Sequence, residues 1–431
     1  MRSGRVALPE GFKISAEGYP STNEQRQALS LFPQWRVVND WLTGHEAFWR
    51  PVPFMEPQPG WRQQYPDLAN WLEQLSDEDY DYWQEHLPAF AQEVARFVPA
   101  LSAYRELVSV PRLSGYDDGP KASLREVQAV DMPGRKRLQA GAFAASLAPL
   151  NGRVLDWCCG KGHLARTMTG QGAEEVFGFE WDSELVQDGN RIATKYGDPV
   201  RVTQQDVMAA DLNWPAVNHG TALHACGDLH RQLLRAGSEA GLARVSVSPC
   251  CYHLGGRGAY RMLSQQARQS HNVLDIDRAG LRLAVQETVT APARERAQSA
   301  RIRVWRLGFD ALQRSLSETG FYLPVPSHPS RLNSGSFEEF CQWAAGKKRV
   351  SLPEEIDWSH WQAVGEKRSR QVRRHELLRH LFRRPLELWL VLDYAVYLEE
   401  QGYRVNLGTF CERALTPRNL LLDAFKLTNS E

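Results

Sequence analysis

The chain has 431 residues, of which 42% are hydrophobic and 24% charged, and its 51 Lys and Arg are matched by 51 Asp and Glu. That length suggests two or three domains of about 100–200 residues each, with ample apolar material for a core. A formal net charge of zero excludes a global basic field for nucleic acid or a membrane surface, and no apolar run reaches the roughly 18 residues of a membrane helix.

The seven cysteines are Cys158, Cys159, Cys226, Cys250, Cys251, Cys341 and Cys411. Two adjacent pairs and an odd total make a poor disulfide framework, so a reducing compartment is expected. The stretch from Met1 to Ala7 has no apolar segment of the signal-peptide kind. A cytoplasmic protein without membrane contact is expected.

Residues 1–20 are polar and irregular. A helical pattern starts at Asn23 and runs through Trp35 and Trp41 until Pro51, Pro53, Pro57 and Pro59 break it. A second helical block runs from Pro66 to Tyr104. Its Asp67–Glu85 part carries Asp67, Glu73, Asp77, Glu78, Asp79, Asp81 and Glu85 without a Lys or Arg, and it reads as a solvated acidic face or a docking surface for a basic partner. Residues 109–131 resemble a linker, and a helix from Met132 to Leu147 leads to Asn151-Gly152.

From there strand and helix alternate, as in a doubly wound sheet. A strand from Val154 reaches Asp156 and a glycine turn, and a helix opens near His163. Further strands are predicted at Glu175–Trp181, Val200–Thr203, Thr221–Ala225 and Ala243–Ser248. Helices are predicted at Ser183–Tyr196, with Ser183 as N-cap, and at Leu229–Ala240. Leu283–Val289 is predicted as a strand and Arg294–Leu316 as a long helix. A short helix at Phe337–Ala345 precedes a basic segment, Lys367–Arg384. The Leu386–Glu400 helix and two strands, Tyr403–Cys411 and Asn419–Phe425, close the chain.

In an open α/β sheet, ligands bind beyond the carboxyl ends of the strands. The first strand leads into Asp156-Trp157-Cys158-Cys159-Gly160-Lys161-Gly162-His163-Leu164-Ala165. Gly160-x-Gly162-x-x-Ala165 fits a dinucleotide fingerprint. Asp156 at its head, however, would repel a pyrophosphate and attract the sulfonium and ammonium of S-adenosylmethionine. Glu180, ending the second strand, is placed to accept hydrogen bonds from both ribose hydroxyls, with Trp181 beside the adenine. After the third strand, Asp206 is placed for the adenine amine and Val207 for the ring face. Leu223–His230 and Ser248–Leu254 bring Cys and His to two more strand ends. His224 or His253 is a candidate general base. Asp228 would orient a histidine or hold the acceptor, and Cys250, Cys251 and Tyr252 would line the acceptor region. A metal at Cys226, Cys250, Cys251 and His253 is not expected, because adjacent cysteines rarely turn to one ion.

These segments resemble one branch of the class I S-adenosylmethionine-dependent methyltransferases. That branch includes the eukaryotic tRNA acceptor-stem 2′-O-methyltransferase, methyltransferase-like proteins of animals and a glutathione-S-transferase C-terminal-domain-containing protein. Asp156–Leu164, Leu223–Leu229, Pro249–His253 and Thr416-Pro417-Arg418-Asn419-Leu420 carry the resemblance, which covers roughly residues 130–320 and 385–431. It implies a Rossmann-like α/β sheet of seven strands, the last two an antiparallel hairpin. It also implies cofactor contacts at Asp156, Gly160, Gly162, Glu180 and Asp206. Cys158 stands where many such enzymes have glycine. The zinc-binding modules of the tRNA enzymes have no counterpart here, so a tRNA acceptor does not follow.

The expected organisation is a mostly helical accessory domain at 1–130, a methyltransferase core at 131–325, a basic helical insertion at 326–385 and the completing helix and hairpin at 386–431. The expected activity is methyl transfer from S-adenosylmethionine to an unidentified acceptor, with RNA or protein favoured over a small molecule. RNA would be met by the basic runs Arg294–Arg306 and Lys367–Arg384, which read equally as solvated helix faces or as partners of the acidic Asp67–Glu85 segment. The alternatives are an NAD(P)-dependent oxidoreductase and a non-catalytic protein that binds S-adenosylmethionine.

Overall fold

The computed structural model describes residues 30–256, 258–286, 293–317 and 320–427. The predicted start of the first helix, at Asn23, lies outside them. Two compact units are present. The described residues of the first fall within 30–44, 106–286 and 383–427, those of the second within 45–105 and 293–382. Each unit is assembled from stretches far apart in the chain.

In the first unit, β1 (Arg153–Trp157), β2 (Glu175–Glu180), β3 (Val200–Gln204), β4 (His219–Cys226), β5 (Arg244–Cys250), β6 (Tyr403–Thr409) and β7 (Leu420–Lys426) form one sheet. The strand order is β3-β2-β1-β4-β5-β7-β6. β1 to β5 run parallel, and β7 enters antiparallel between β5 and β6. The order reverses direction at β1 and β4, so a crevice opens beyond their carboxyl ends.

β1 is buried from Val154 to Trp157. A central parallel strand is covered on both faces, and for that reason it reads as a continuous apolar run rather than an alternating one. Phe143, Leu147, Val154, Leu164, Met168, Val176, Phe410 and Leu421 share one core cluster. Helix starts and stops follow local chemistry. Asp182, not Ser183, caps the Ser183–Tyr196 helix, accepting from the Glu184 and Leu185 N–H groups at 2.8 and 3.3 Å. Gly197 ends that helix at φ 68.

The strand predicted at Leu283–Val289 is instead a helix, Arg278–Val285, with residues 287–289 outside the described ones. Asp277 caps it by accepting from the Gly280 N–H at 2.8 Å. That cap outweighs the short apolar run that suggested a strand.

The second unit is helical. Ala293–Leu316 packs along Trp358–His380. Ile302, Trp305, Phe309, Phe337 and Phe340 form its core beside Cys341 and Ala344. No helix among the described residues is long and apolar enough to cross a membrane.

Candidate functional site

β1 ends in a turn that only a few backbone conformations can make. Cys158, Gly160 and Gly162 lie at φ 59, 56 and 69. Glycine occupies that left-handed region without steric cost, whereas a Cβ adds strain. Cys158 therefore stands at a position where the backbone itself favours glycine. The Gly160 turn is fastened to β2, since Glu180 accepts from the Gly160 N–H at 2.9 Å and from the Trp181 and Asp182 N–H groups at 3.0 and 3.1 Å. Lys161 is directed elsewhere, to Asp188 at 2.9 Å and Asp131 at 3.3 Å.

Two carboxylates consequently face the turn, and neither is in an ion pair among the described residues. Asp156 is 2% exposed and Glu180 6%. Asp156 accepts one hydrogen bond, from the Ala165 N–H at 3.1 Å. Burial pushes its pKa up to about 7, repulsion from Glu180 adds to the rise, and the Ala165 N–H opposes it. Burial and the same two carboxylates push the Cys158 thiol up to about 12. Such a site suits a ligand that brings positive charge.

The other candidate cofactor residues line the neighbouring strand ends. Trp181 is 74% exposed, an unused aromatic face beyond β2. Val207 is buried, and exposed Asp206 accepts from the Met208 N–H at 2.9 Å.

On the β4 and β5 side, the structure brings some candidates together and withdraws others. The β4–β5 register shifts between Leu223 and Cys226, where His224 adopts φ 67. This is a β-bulge, an extra residue that re-aims the side chains beyond it. Past the bulge, Cys226 pairs with Cys250. Cys251 follows at φ 48, and the thiols of Cys226, Cys250 and Cys251 all lie within 4.8 Å of one another. That left-handed residue turns the two adjacent cysteines toward one point. Gly227 (φ 58) lets this turn lie directly on the Leu254 backbone, since a Cβ there would stand 2.3 Å from the Leu254 carbonyl oxygen.

His224 Nε2 lies 2.8 Å from Gln139 Oε1, while Gln139 Nε2 donates to the Leu415 carbonyl at 2.8 Å. The second bond fixes the amide orientation. His224 therefore carries its proton on Nε2 and leaves Nδ1 as the acceptor. Desolvation of the ring, reinforced by Lys136, holds its pKa below the usual histidine value, although the residue keeps a solvent-exposed edge.

Asp228 opens the Asp228–Glu239 helix and lies 3.7 Å from Arg231. Tyr252 is buried, its hydroxyl 3.4 Å from both the Pro249 carbonyl and Glu387 Oε1, so it braces the loop from within rather than facing an acceptor. His253 Nδ1 is buried without a hydrogen-bond partner. Three contributors were not singled out from sequence. Gln139 and Glu387 sit far away in the chain. His163, whose two ring nitrogens are both buried and unpartnered, had served only to mark a helix start.

Residues 145–255 match the family model described as a methyltransferase domain. Such a domain implies S-adenosylmethionine as cofactor. Among solved structures, the chain is similar to geranyl diphosphate methyltransferase in complex with GPP and sinefungin, at 19% identity over 25% of this chain and 42% of that one, with a TM-score of 0.22. It is similar to TrmN from Thermus thermophilus at 23% identity over 30% of this chain and 40% of that one, TM-score 0.23. It is also similar to a TehB-like SAM-dependent methyltransferase from Corynebacterium glutamicum at 17% identity over 31% and 71%, TM-score 0.23. The matched part spans less than half the length of the first two.

Proposed function

We propose that this chain transfers a methyl group from S-adenosylmethionine to an acceptor held at the carboxyl ends of β4 and β5. The observation that carries the proposal is the pair of buried carboxylates, Asp156 and Glu180, around a left-handed turn with no cation paired to either among the described residues. A dinucleotide pyrophosphate would meet that charge without compensation, which counts against an NAD(P)-dependent oxidoreductase. Methyltransferase-like motifs at the acceptor-side strand ends argue against a protein that only binds the cofactor.

In this assignment Asp156 holds the cationic end of the cofactor, Gly160 and Gly162 give backbone access, and Glu180 holds the ribose. Trp181, Asp206 and Val207 surround the adenine. S-adenosylmethionine supplies a methyl carbon already activated by its sulfonium. The protein's task is then to desolvate an acceptor and align it for attack. The His224 Nδ1 lone pair would take a proton from a hydroxyl acceptor, with Gln139 fixing the tautomer. His253, Asp228, Cys250 and Cys251 border the same region, and Tyr252 supports it.

The motifs at Leu223–Leu229 and Pro249–His253 support placing the chain in the branch that includes the tRNA acceptor-stem 2′-O-methyltransferase. Seven free cysteines support a reducing cytoplasm as its location. RNA or protein is the proposed acceptor class. The test incubates the protein with methyl-labelled S-adenosylmethionine and cell lysate, then resolves RNA, protein and small-molecule fractions. Label is expected in the RNA or protein fraction and is lost with Asp156→Ala. Label confined to small molecules would overturn the acceptor class, and no label in any fraction would overturn the activity.

A further inference from the structure

Three sulfur atoms converge at the ends of β4 and β5, and methyl transfer does not require them. Cys226 Sγ lies 3.7 Å from Cys250 Sγ. Cys251 completes a triangle with no edge above 4.8 Å. A zinc ion with Zn–S bonds of about 2.3 Å in tetrahedral geometry places its sulfurs about 3.8 Å apart, so the Cys226–Cys250 separation already matches one edge of that tetrahedron.

We propose that Cys226, Cys250 and Cys251 form a zinc site with three protein ligands and a fourth coordination position open to an exogenous ligand.

Two backbone features build the site. Consecutive residues of a strand point to opposite faces, so Cys250 and Cys251 would normally diverge. Cys251 adopts φ 48 instead, and the alternation is broken there. The β4 bulge does the complementary work. Leu223 is registered with Ser248, so without the extra residue Ala225 would face Cys250 and the Cys226 thiol would be displaced by one position. Both irregularities serve one outcome, three thiols facing one point.

The donor set selects the cation. All-sulfur ligation favours zinc and other soft ions over magnesium or calcium. Among the described residues no fourth His, Cys, Asp or Glu joins the group. Structural zinc sites are closed by four protein ligands, whereas catalytic ones keep a position free. Arg418 is a permanent positive charge that acts on Cys251, and it offsets part of the excess negative charge of three thiolates around one dication.

The test uses the full chain, reduced and stripped of metal, then loaded with zinc chloride and desalted. Zinc is measured by mass spectrometry and accessible thiols by titration. Cobalt replaces zinc in a parallel sample, and its thiolate charge-transfer absorption is recorded. One zinc per chain is expected, with the charge-transfer band present. Cys226→Ser, Cys250→Ser and Cys251→Ser should each lose retention of zinc and weaken the band. Cys341→Ser and Cys411→Ser should retain both. Circular dichroism and calorimetric S-adenosylmethionine affinity separate loss of metal from loss of fold or cofactor site. Failure of the wild-type chain to retain zinc, or equal retention by the triple variant of Cys226, Cys250 and Cys251, overturns the proposal and leaves the methyltransferase assignment untouched.

Discussion

Asp156 sits between two protonation states near neutral pH. Its pKa of about 7 in the ligand-free protein is set by burial and by Glu180. A cationic ligand favours the carboxylate, so binding below pH 7 must expel a proton. The affinity for S-adenosylmethionine is therefore expected to rise as pH increases, by up to roughly tenfold per unit between about pH 5 and pH 7, and to level off above. Calorimetry across that range checks it, and Asp156→Asn should flatten the curve. At this scale the positions of Asp156 and Glu180 at strand ends were legible in the sequence, and both carboxylates are buried there. The tautomer of His224 was not legible, because it depends on Gln139 and on the Leu415 carbonyl beyond it. Tyr252 shows the converse case. Its neighbours in sequence suggested an acceptor contact, yet its ring fills the core.

The elements of the sheet are locked by polar pairs as well as by apolar burial. Asp423 on β7 receives a bidentate contact from Arg244 on β5, both bonds 2.8 Å, and a 2.7 Å bond from the Ser246 hydroxyl. Ser246 and Asp423 are registered partners in the antiparallel β5–β7 pair. The side chains of Arg244 and Asp423 are 16% and 9% exposed. Removing one partner leaves the other charge buried, so Asp423→Ala should cost about 3–5 kcal/mol, read as a lower urea midpoint. Strands were legible because buried parallel strands are continuous apolar runs bounded by glycine and polar turns. The bulge at His224 was not, since one inserted residue leaves no mark in composition or period. The thiol convergence was hidden for that reason. The Arg278–Val285 helix was missed because its short apolar stretch fits either period, and Asp277 decides it.

Across the whole molecule, the distribution of charge narrows the candidate RNA surface. Much of the basic run from Lys367 to Arg384 is engaged within the protein. Arg373 pairs with Asp77 and Asp81 at 3.1 Å, Arg374 with Asp77 at 2.9 Å and Arg368 with Asp310 at 2.6 Å. Arg379 donates to the Trp49 carbonyl at 2.7 Å. The acidic stretch that read as a solvated face is in part the partner of these arginines. Arg294, Arg296, Lys367 and Arg370 are exposed. Four phosphate contacts on single-stranded RNA would give a slope of log affinity against log salt of about −3. Replacing all four with alanine should abolish that slope, and an RNA affinity independent of salt would contradict the contact. Each of the two units is assembled from separated stretches, and no composition shift marks residues 44–45, whereas the change from basic segment to apolar helix lies within a few residues of 382–383. The central claim is a cationic cofactor between two buried carboxylates, and calorimetric titration of S-adenosylmethionine into the wild type, Asp156→Ala and Glu180→Ala tests it most directly. One-to-one binding to the wild type, with marked weakening in both variants, is predicted. Equal affinity in all three proteins would contradict the assignment.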